Sequence, residues 1–314
     1  MPVYAVDKSL GPTSHDVVAA ARRVLGTRRV GHAGTLDPLA SGLLLVLAGE
    51  ATKLSPFLSG ADKGYLAWVA FGASTPTLDA EGPVTERGEA GALDAAQVRS
   101  AAAAFLDVHQ QVPPAFSAVK EGGEAAYRKA RRGEAGGLPP RPAGYHEVDL
   151  LAFGPRASLP PCFGPAPEGW RPLEDGRPLP LPPPLSALPT AVFRVEVRAG
   201  TYLRAFARDL GRAVGVPAHL AGLVRTRVGA VDLASAVPVE ALAEAAGVPE
   251  AEALPYPTLP LSAEQVARVR QGQRLPRAAL PGHGTVGLTD PDGRLVAVCD
   301  LEPERMRLRR VWPA

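Results

Sequence analysis

Cysteine is almost missing: Cys162 and Cys299 stand far apart and outside any C-x-x-C or Cys/His spacing, so neither a disulfide framework nor a zinc site is indicated. Long hydrophobic runs are missing too. The longest, Leu43–Ala48, is far too short to span a bilayer. The opening MPVYAVDKSLGPTS lacks the basic and apolar regions of a secretory signal, so a cytoplasmic location without membrane contact is expected. Neither a G-x-x-x-x-G-K-[ST] loop nor a G-x-G-x-x-G after a strand is found, which argues against a nucleotide-cofactor enzyme. Lysine is scarce, with five residues against many arginines. GC-rich coding and thermal adaptation explain that bias equally well.

What is present is a chain of 314 residues, 46% hydrophobic and 21% charged, the composition of a folded protein with one large domain and room for a small one. Net charge is only +2, so its placement matters more than its sum. Three basic groups stand out: Arg128, Lys129, Arg131 and Arg132; then Arg194, Arg198, Arg204, Arg208, Arg212, Arg225 and Arg227; then Arg305, Arg307, Arg309 and Arg310. Such groups suit contact with phosphate, although a charge run is as readily a solvated face.

Apolar spacing predicts a helix over 14–25, capped by Ser14 and stopped by Gly26, and helices over 95–106 and 203–214. Strand patterns fall at 64–72, 145–153 and 191–198. The mixture predicts an α+β domain over residues 1–245. Within it, residues 155–189 carry 12 of the 34 prolines, which predicts an irregular surface excursion that tolerates deletion. Residues 246–260 read as a linker, and 261–314 as a small β-rich module with one short helix.

The most informative segment is Gly31-His32-Ala33-Gly34-Thr35-Leu36-Asp37-Pro38, continuing Leu39-Ala40-Ser41-Gly42-Leu43-Leu44. Taken alone, Asp37 before Pro38 fits a helix N-cap with proline at N1, with the glycines shaping turns. The whole segment, however, resembles the signature of the TruB family of tRNA pseudouridine synthases. Other blocks resemble that family in the expected order: Asp7-Lys8-Ser9-Leu10-Gly11-Pro12-Thr13-Ser14, with Ser9 where proline is usual; Lys63-Gly64-Tyr65; and Thr75-Pro76-Thr77-Leu78-Asp79-Ala80-Glu81-Gly82. Then follow Gln111-Val112-Pro113-Pro114-Ala115-Phe116-Ser117-Ala118-Val119-Lys120, with Phe116 in place of tyrosine, Gly200-Thr201-Tyr202-Leu203-Arg204, and Leu223-Val224-Arg225-Thr226.

The resemblance implies the pseudouridine synthase fold, a mixed and mostly antiparallel sheet flanked by helices, followed by a PUA-like RNA-binding domain at residues 261–314. It implies isomerisation of the T-loop uridine at position 55 of tRNA. Asp37 would be the catalytic carboxylate, and Arg204 the arginine that pairs with it. Tyr65 would stack on the target uracil and take its C5 proton, Tyr202 and Leu223 would line the pocket, and His32 would enter the RNA stack where the base left. Lys8 and Asp79 would support the loops. Elementary chemistry agrees, because breaking and remaking a glycosidic bond calls for a carboxylate, and reaching a base in folded RNA calls for flipping it out. An isomerisation needs no metal or organic cofactor. No protein partner is implied, and a monomer acting on the tRNA T stem-loop is expected. The other readings are a synthase acting on another RNA stem-loop and a non-catalytic RNA-binding protein of the same fold.

Overall fold

Nine buried positions in a row along Ala40–Ala48 leave no solvent face, so this segment needs apolar cover on both sides. The computed structural model, which describes residues 2–134, 136–179 and 188–312, supplies that cover with a sheet packed on two faces. In chain order the main elements are β1 (Val3–Lys8), α1 (Ser14–Val24), β2 (Val30–Ala33), β3 (Ala40–Ala48), β4 (Lys63–Phe71), α2 (Ala95–Ala103), β5 (Tyr145–Pro155), β6 (Pro189–Val197), α3 (Leu203–Ala213) and β7 (Ala218–Val228). The strands line up β1-β3-β7-β4-β6-β5, with β2 also on β3. Of these pairings only β3 with β7 is parallel.

Side-chain alternation sorts the two faces. Leu44, Val46, Tyr65, Ala67, Val69 and Leu223 join α1, α2 and α3 in one core, where Phe206 stacks edge-on with Phe105 and Phe193. Leu43, Leu45, Leu47, Leu66 and Trp68 face the other way. At the parallel junction Gly42 has φ +96°, and a Cβ there would lie 2.4 Å from the Arg225 carbonyl oxygen, so only glycine lets β3 approach β7.

The proline-rich segment differs from the expected loose excursion. Its described residues form a small sheet of Cys162–Gly164, Arg171–Pro172 and Arg177–Pro178, while residues 180–187 lie outside the described structure. Phe163 and Trp170 are buried in the second core. Phe163 meets Trp68 edge-on at 5.5 Å, and the Trp170 indole donates to Asp232 at 3.1 Å. Proline blocks long strands but not short two- and three-residue ones, and the aromatics between the prolines supply the apolar cover that this face lacks.

Helix α1 is capped by Thr13, which forms a reciprocal box with Asp16, rather than by Ser14. The helix expected over 95–106 ends its α-helical part at Ala103 and tightens into a 3₁₀ turn, Ala104–Asp107. Strands β1, β2, β3 and β7 add to those read from the sequence.

The C-terminal part has β8 (Thr258–Pro260), α4 (Ala263–Arg270), β9 (Gly284–Thr289), β10 (Leu295–Leu301) and β11 (Met306–Val311), in the order β8-β9-β10-β11. Val266, Val269, Leu288, Val296 and Met306 form its own core. Trp312, 1% exposed, anchors it to the large domain by donating to the Glu50 carbonyl at 3.2 Å. Among the described residues no helix is long and apolar enough to cross a membrane.

Candidate active site

Asp37 lies in the loop from β2 to β3, and no helix begins there. The loop is tied down at its backbone. Ser14, buried on α1, donates its hydroxyl to the Leu36 carbonyl at 3.0 Å and accepts from the Leu36 amide at 2.8 Å. The Gly11 amide reaches the Pro38 carbonyl at 2.9 Å, and the Lys8 ammonium reaches the Ala40 carbonyl at 2.5 Å. Lys8 therefore meets the loop's main chain rather than the Asp37 carboxylate. Burial pulls its pKa down to about 8, against the opposing pull of Asp37.

Arg204, in the first turn of α3, forms an ion pair with Asp37, its Nε 2.9 Å from Oδ2. Its other arms are occupied, with Nη1 on the Thr77 carbonyl at 3.1 Å and Nη2 on the Phe116 carbonyl at 2.9 Å. The guanidinium fork is thus spent on two loops while Nε alone holds Asp37, and the carboxylate remains 39% exposed and open to a ligand.

Asp79 Oδ2 lies 3.7 Å from the same Nε, and its Oδ1 accepts from Thr77 at 2.6 Å. Burial raises the Asp79 pKa, opposed by the Thr77 hydrogen bond and by Arg204. The turn that carries Asp79 contains Leu78 at φ +63°, a left-handed conformation that a leucine adopts at a cost of about 1–3 kcal/mol. The backbone of Leu78 and Ala80 bonds to Leu220 of β7, which fixes the strained turn to the sheet.

Tyr65 and Leu223 project from β4 and β7 into the first core and are nearly buried. Tyr202 caps the start of α3, and Gln111 clamps its backbone on both sides: Oε1 accepts from the Tyr202 amide at 2.9 Å and Nε2 donates to its carbonyl at 3.1 Å. The Tyr202 ring packs on Val119, Ala126 and Leu138. His32 sits on β2, half-buried, edge-on to His15 at 5.5 Å. Its Nδ1 is buried without a partner, and burial lowers its pKa, with the His15 and Arg225 charges acting in the same direction.

Sequence reasoning gave Arg225 no role. It is fully buried and lies directly across the β7–β4 pairing from Tyr65. Its donors also reach the carbonyls of Leu43 (2.7 Å), Gly34 (3.1 Å) and Thr35 (3.3 Å). The available signal was its place two residues after Leu223 on a strand, which puts both side chains on one face.

The basic groups also resolve differently from a single phosphate-binding face. Arg194 is buried against Glu147 and Asp149, Arg208 pairs with Asp209, and Arg227 pairs with Glu196. Arg132, Arg305 and Arg309 hold neighbouring carboxylates. Arg128 and Arg131 instead flank the Tyr127 ring at 5.9 and 5.7 Å, forming an exposed cationic and aromatic surface. Among the described residues no group of three or more His, Cys, Asp or Glu side chains is arranged to hold a metal ion.

A mostly antiparallel sheet with a loop-borne carboxylate gripped by a helical arginine defines the class. Over 99% of this chain and 85% of the other, it is similar to a chain in the crystal structure of a Cbf5-Nop10-Gar1 complex, with TM-score 0.70 and 24% identity, so the two share a fold. Residues 22–159 match the family model described as TruB family pseudouridylate synthase, N terminal domain, and residues 256–312 match that for tRNA pseudouridine synthase II, C terminal. The chain is 52% identical to tRNA pseudouridine synthase B of Thermus thermophilus over 99% of both chains. It is 50% identical to the protein of the same name from Deinococcus deserti, over 99% of this chain and all of the other. The chain belongs to the TruB family.

Proposed function

We propose that the protein is a tRNA pseudouridine synthase that isomerises the T-loop uridine at position 55. The observation that carries this is Asp37, held at 2.9 Å by Arg204 and left accessible beside Tyr65 and Leu223, in a chain of this family. In the reaction the N1–C1′ bond breaks, the uracil turns, C5 bonds to C1′, and the C5 proton leaves. Asp37 is the carboxylate that enables cleavage and rejoining. Arg204 supplies an oriented counter-charge, aligned before substrate arrives. The target base leaves the RNA stack and is received between Tyr65 and Leu223, while His32 fills the gap it leaves. Tyr202 walls the pocket, Lys8 and Asp79 hold its loops, and Tyr65 takes the C5 proton. Exposed cations at Arg128 and Arg131 contact phosphate.

In this reading residues 1–245 are the catalytic domain, 246–257 connect the domains, and the residues from β8 onward form a PUA-like RNA-binding domain, a start three residues earlier than the sequence suggested because Thr258–Pro260 pairs into its sheet. The protein works in the cytoplasm as a monomer. The test is single-turnover pseudouridine formation in an unmodified T stem-loop by wild type and Asp37→Asn, with RNA binding followed separately. The expected result is reaction by wild type, and binding without reaction by the variant. Wild type that binds without reacting would establish a binding protein instead, and a reactive variant would remove Asp37 from the chemistry.

A further inference from the structure

Arg225 is 0% exposed, and among the described residues no carboxylate forms an ion pair with it. An arginine keeps its charge even when buried, and a buried unpaired charge is costly. Three backbone carbonyls satisfy its N–H groups, yet a neutral amide could do much of that work. The positive charge itself is the unexplained part. Tyr65 is an ionisable side chain set directly opposite it across the β7–β4 pairing, buried on the same side of the sheet. A guanidinium can only donate, so a Tyr65 oxygen turned to it accepts and must direct its own proton elsewhere.

We propose that Arg225 is a positioning residue for removal of the C5 proton, acting through Tyr65. It turns the Tyr65 hydroxyl proton toward the cleft and holds the negative charge that grows on the oxygen when the tyrosine works as a base. The inference rests on the assignment of Tyr65 as that base. In the step concerned, the Tyr65 proton passes to water, the C5–H proton moves to the tyrosine oxygen, and the C–H electron pair restores the C5–C6 double bond. The former C6–N1 π pair settles on N1, which takes a proton from water, so the ring ends neutral. The same guanidinium holds the Gly34 and Thr35 carbonyls, three and two positions before Asp37, and so ties the base to the loop that carries the carboxylate. Burial, with the Asp37 and Glu196 charges adding to it, holds the Tyr65 pKa above its usual value, and Arg225 is the strongest influence drawing it back down.

The experiment compares T stem-loop RNA carrying protium or deuterium at C5 of the target uridine, under single-turnover conditions. The enzymes are wild type, Arg225→Gln, Arg225→Lys, Tyr65→Phe and the Tyr65→Phe/Arg225→Gln double variant. Arg225→Gln is expected to slow the reaction by about 100-fold or more, the scale of a lost acid–base contribution, and to make the rate sensitive to deuterium. Arg225→Lys, which keeps the charge, recovers part of the rate. Added to Tyr65→Phe, the glutamine change costs little further, because both act on one step. A slow Arg225→Gln without a deuterium effect, or one that multiplies the Tyr65→Phe loss in full, overturns the proposal and leaves Arg225 as a brace for the loop. If Arg225→Gln does not fold, Arg225→Lys decides: a slowed, deuterium-sensitive rate supports the proposal, and a slowed, deuterium-insensitive rate overturns it. Wild type that makes no pseudouridine overturns the functional assignment, and this inference with it.

Discussion

Replacing Arg204 by lysine tests whether the site depends on guanidinium geometry or on charge alone. The native side chain spans three acceptors at 2.9, 3.1 and 2.9 Å, which are Asp37, the Thr77 carbonyl and the Phe116 carbonyl. A lysine ammonium on a flexible stem cannot span all three, since they surround a planar fork. If it stays with Asp37, both loop carbonyls lose their donor. If it drops toward them, the half-exposed carboxylate swings free. One contact is lost if it drops toward the carbonyls and two if it stays with Asp37, and at roughly 1–1.5 kcal/mol each the loss of two removes about 2–3 kcal/mol. When that loss falls on the transition state, the rate drops by about 100-fold, since 1.4 kcal/mol is a factor of ten. Single-turnover kinetics with the T stem-loop measure the rate, and filter binding at the same salt measures affinity. The expected pattern is a slow reaction with affinity within about threefold of wild type, as for an interaction made mainly in the transition state. A rate within threefold of wild type would refute the geometric argument, and a loss of affinity equal to the loss of rate would make Arg204 an RNA-backbone contact.

Two further outcomes follow from the fold. Trp170→Ala should destabilise the protein by about 3–5 kcal/mol, the range for a buried tryptophan, because Trp170 covers the second core; urea unfolding measures it, and a change under 1 kcal/mol would return the segment to a dispensable excursion. Lys8 and Lys63 both have pKa values pulled down to about 8 from 10.5 by burial. Between those limits the unfolded chain holds protons that the folded protein has shed, so their contribution to stability rises with pH across that window. The gap in unfolding free energy between wild type and Lys8→Met should therefore move in favour of wild type from pH 7 to pH 10, and a constant gap would show that Lys8 is not desolvated.

Much of the large domain was legible because long elements leave strong periodic signals. The 3.6-residue spacing of Leu203, Phe206, Ala207 and Leu210 marks α3 directly, and β4, β5 and β6 carry dense β-branched or aromatic runs. Strand β7, AHLAGLVRTRV, was missed because it is buried on both faces and includes His219 and Arg225, which break an apolar pattern while being fully covered themselves. The motifs brought Asp37, Arg204, Asp79 and Tyr65 onto one short list. Sequence could not show that Lys8 points at a carbonyl while Arg204 points at the carboxylate, since both are cations in matched blocks. The proline-rich segment was misjudged for a related reason: composition records what prevents long strands, whereas Phe163 and Trp170 act through a surface contributed by distant strands.

Catalytic carboxylates on loops face a conflict, because a loop that gives access to substrate also has freedom to move. In this protein the conflict is resolved by fastening the loop's backbone rather than the acid itself. Lys8, Ser14 and Arg225 bind main-chain groups of Gly34, Thr35, Leu36 and Ala40, on both sides of Asp37, and among the described residues only Arg204 pairs with the carboxylate. Two of these fasteners are buried cations, which cost more than neutral donors would unless their charge also serves the site. Lys8 lies close enough to Asp37 for their charges to interact, and Arg225 lies against Tyr65. In the proposed reaction the positive charge is therefore concentrated where Asp37 and Tyr65 would carry negative charge, so the rigidity of the loop and the electrostatics of the pocket come from the same side chains.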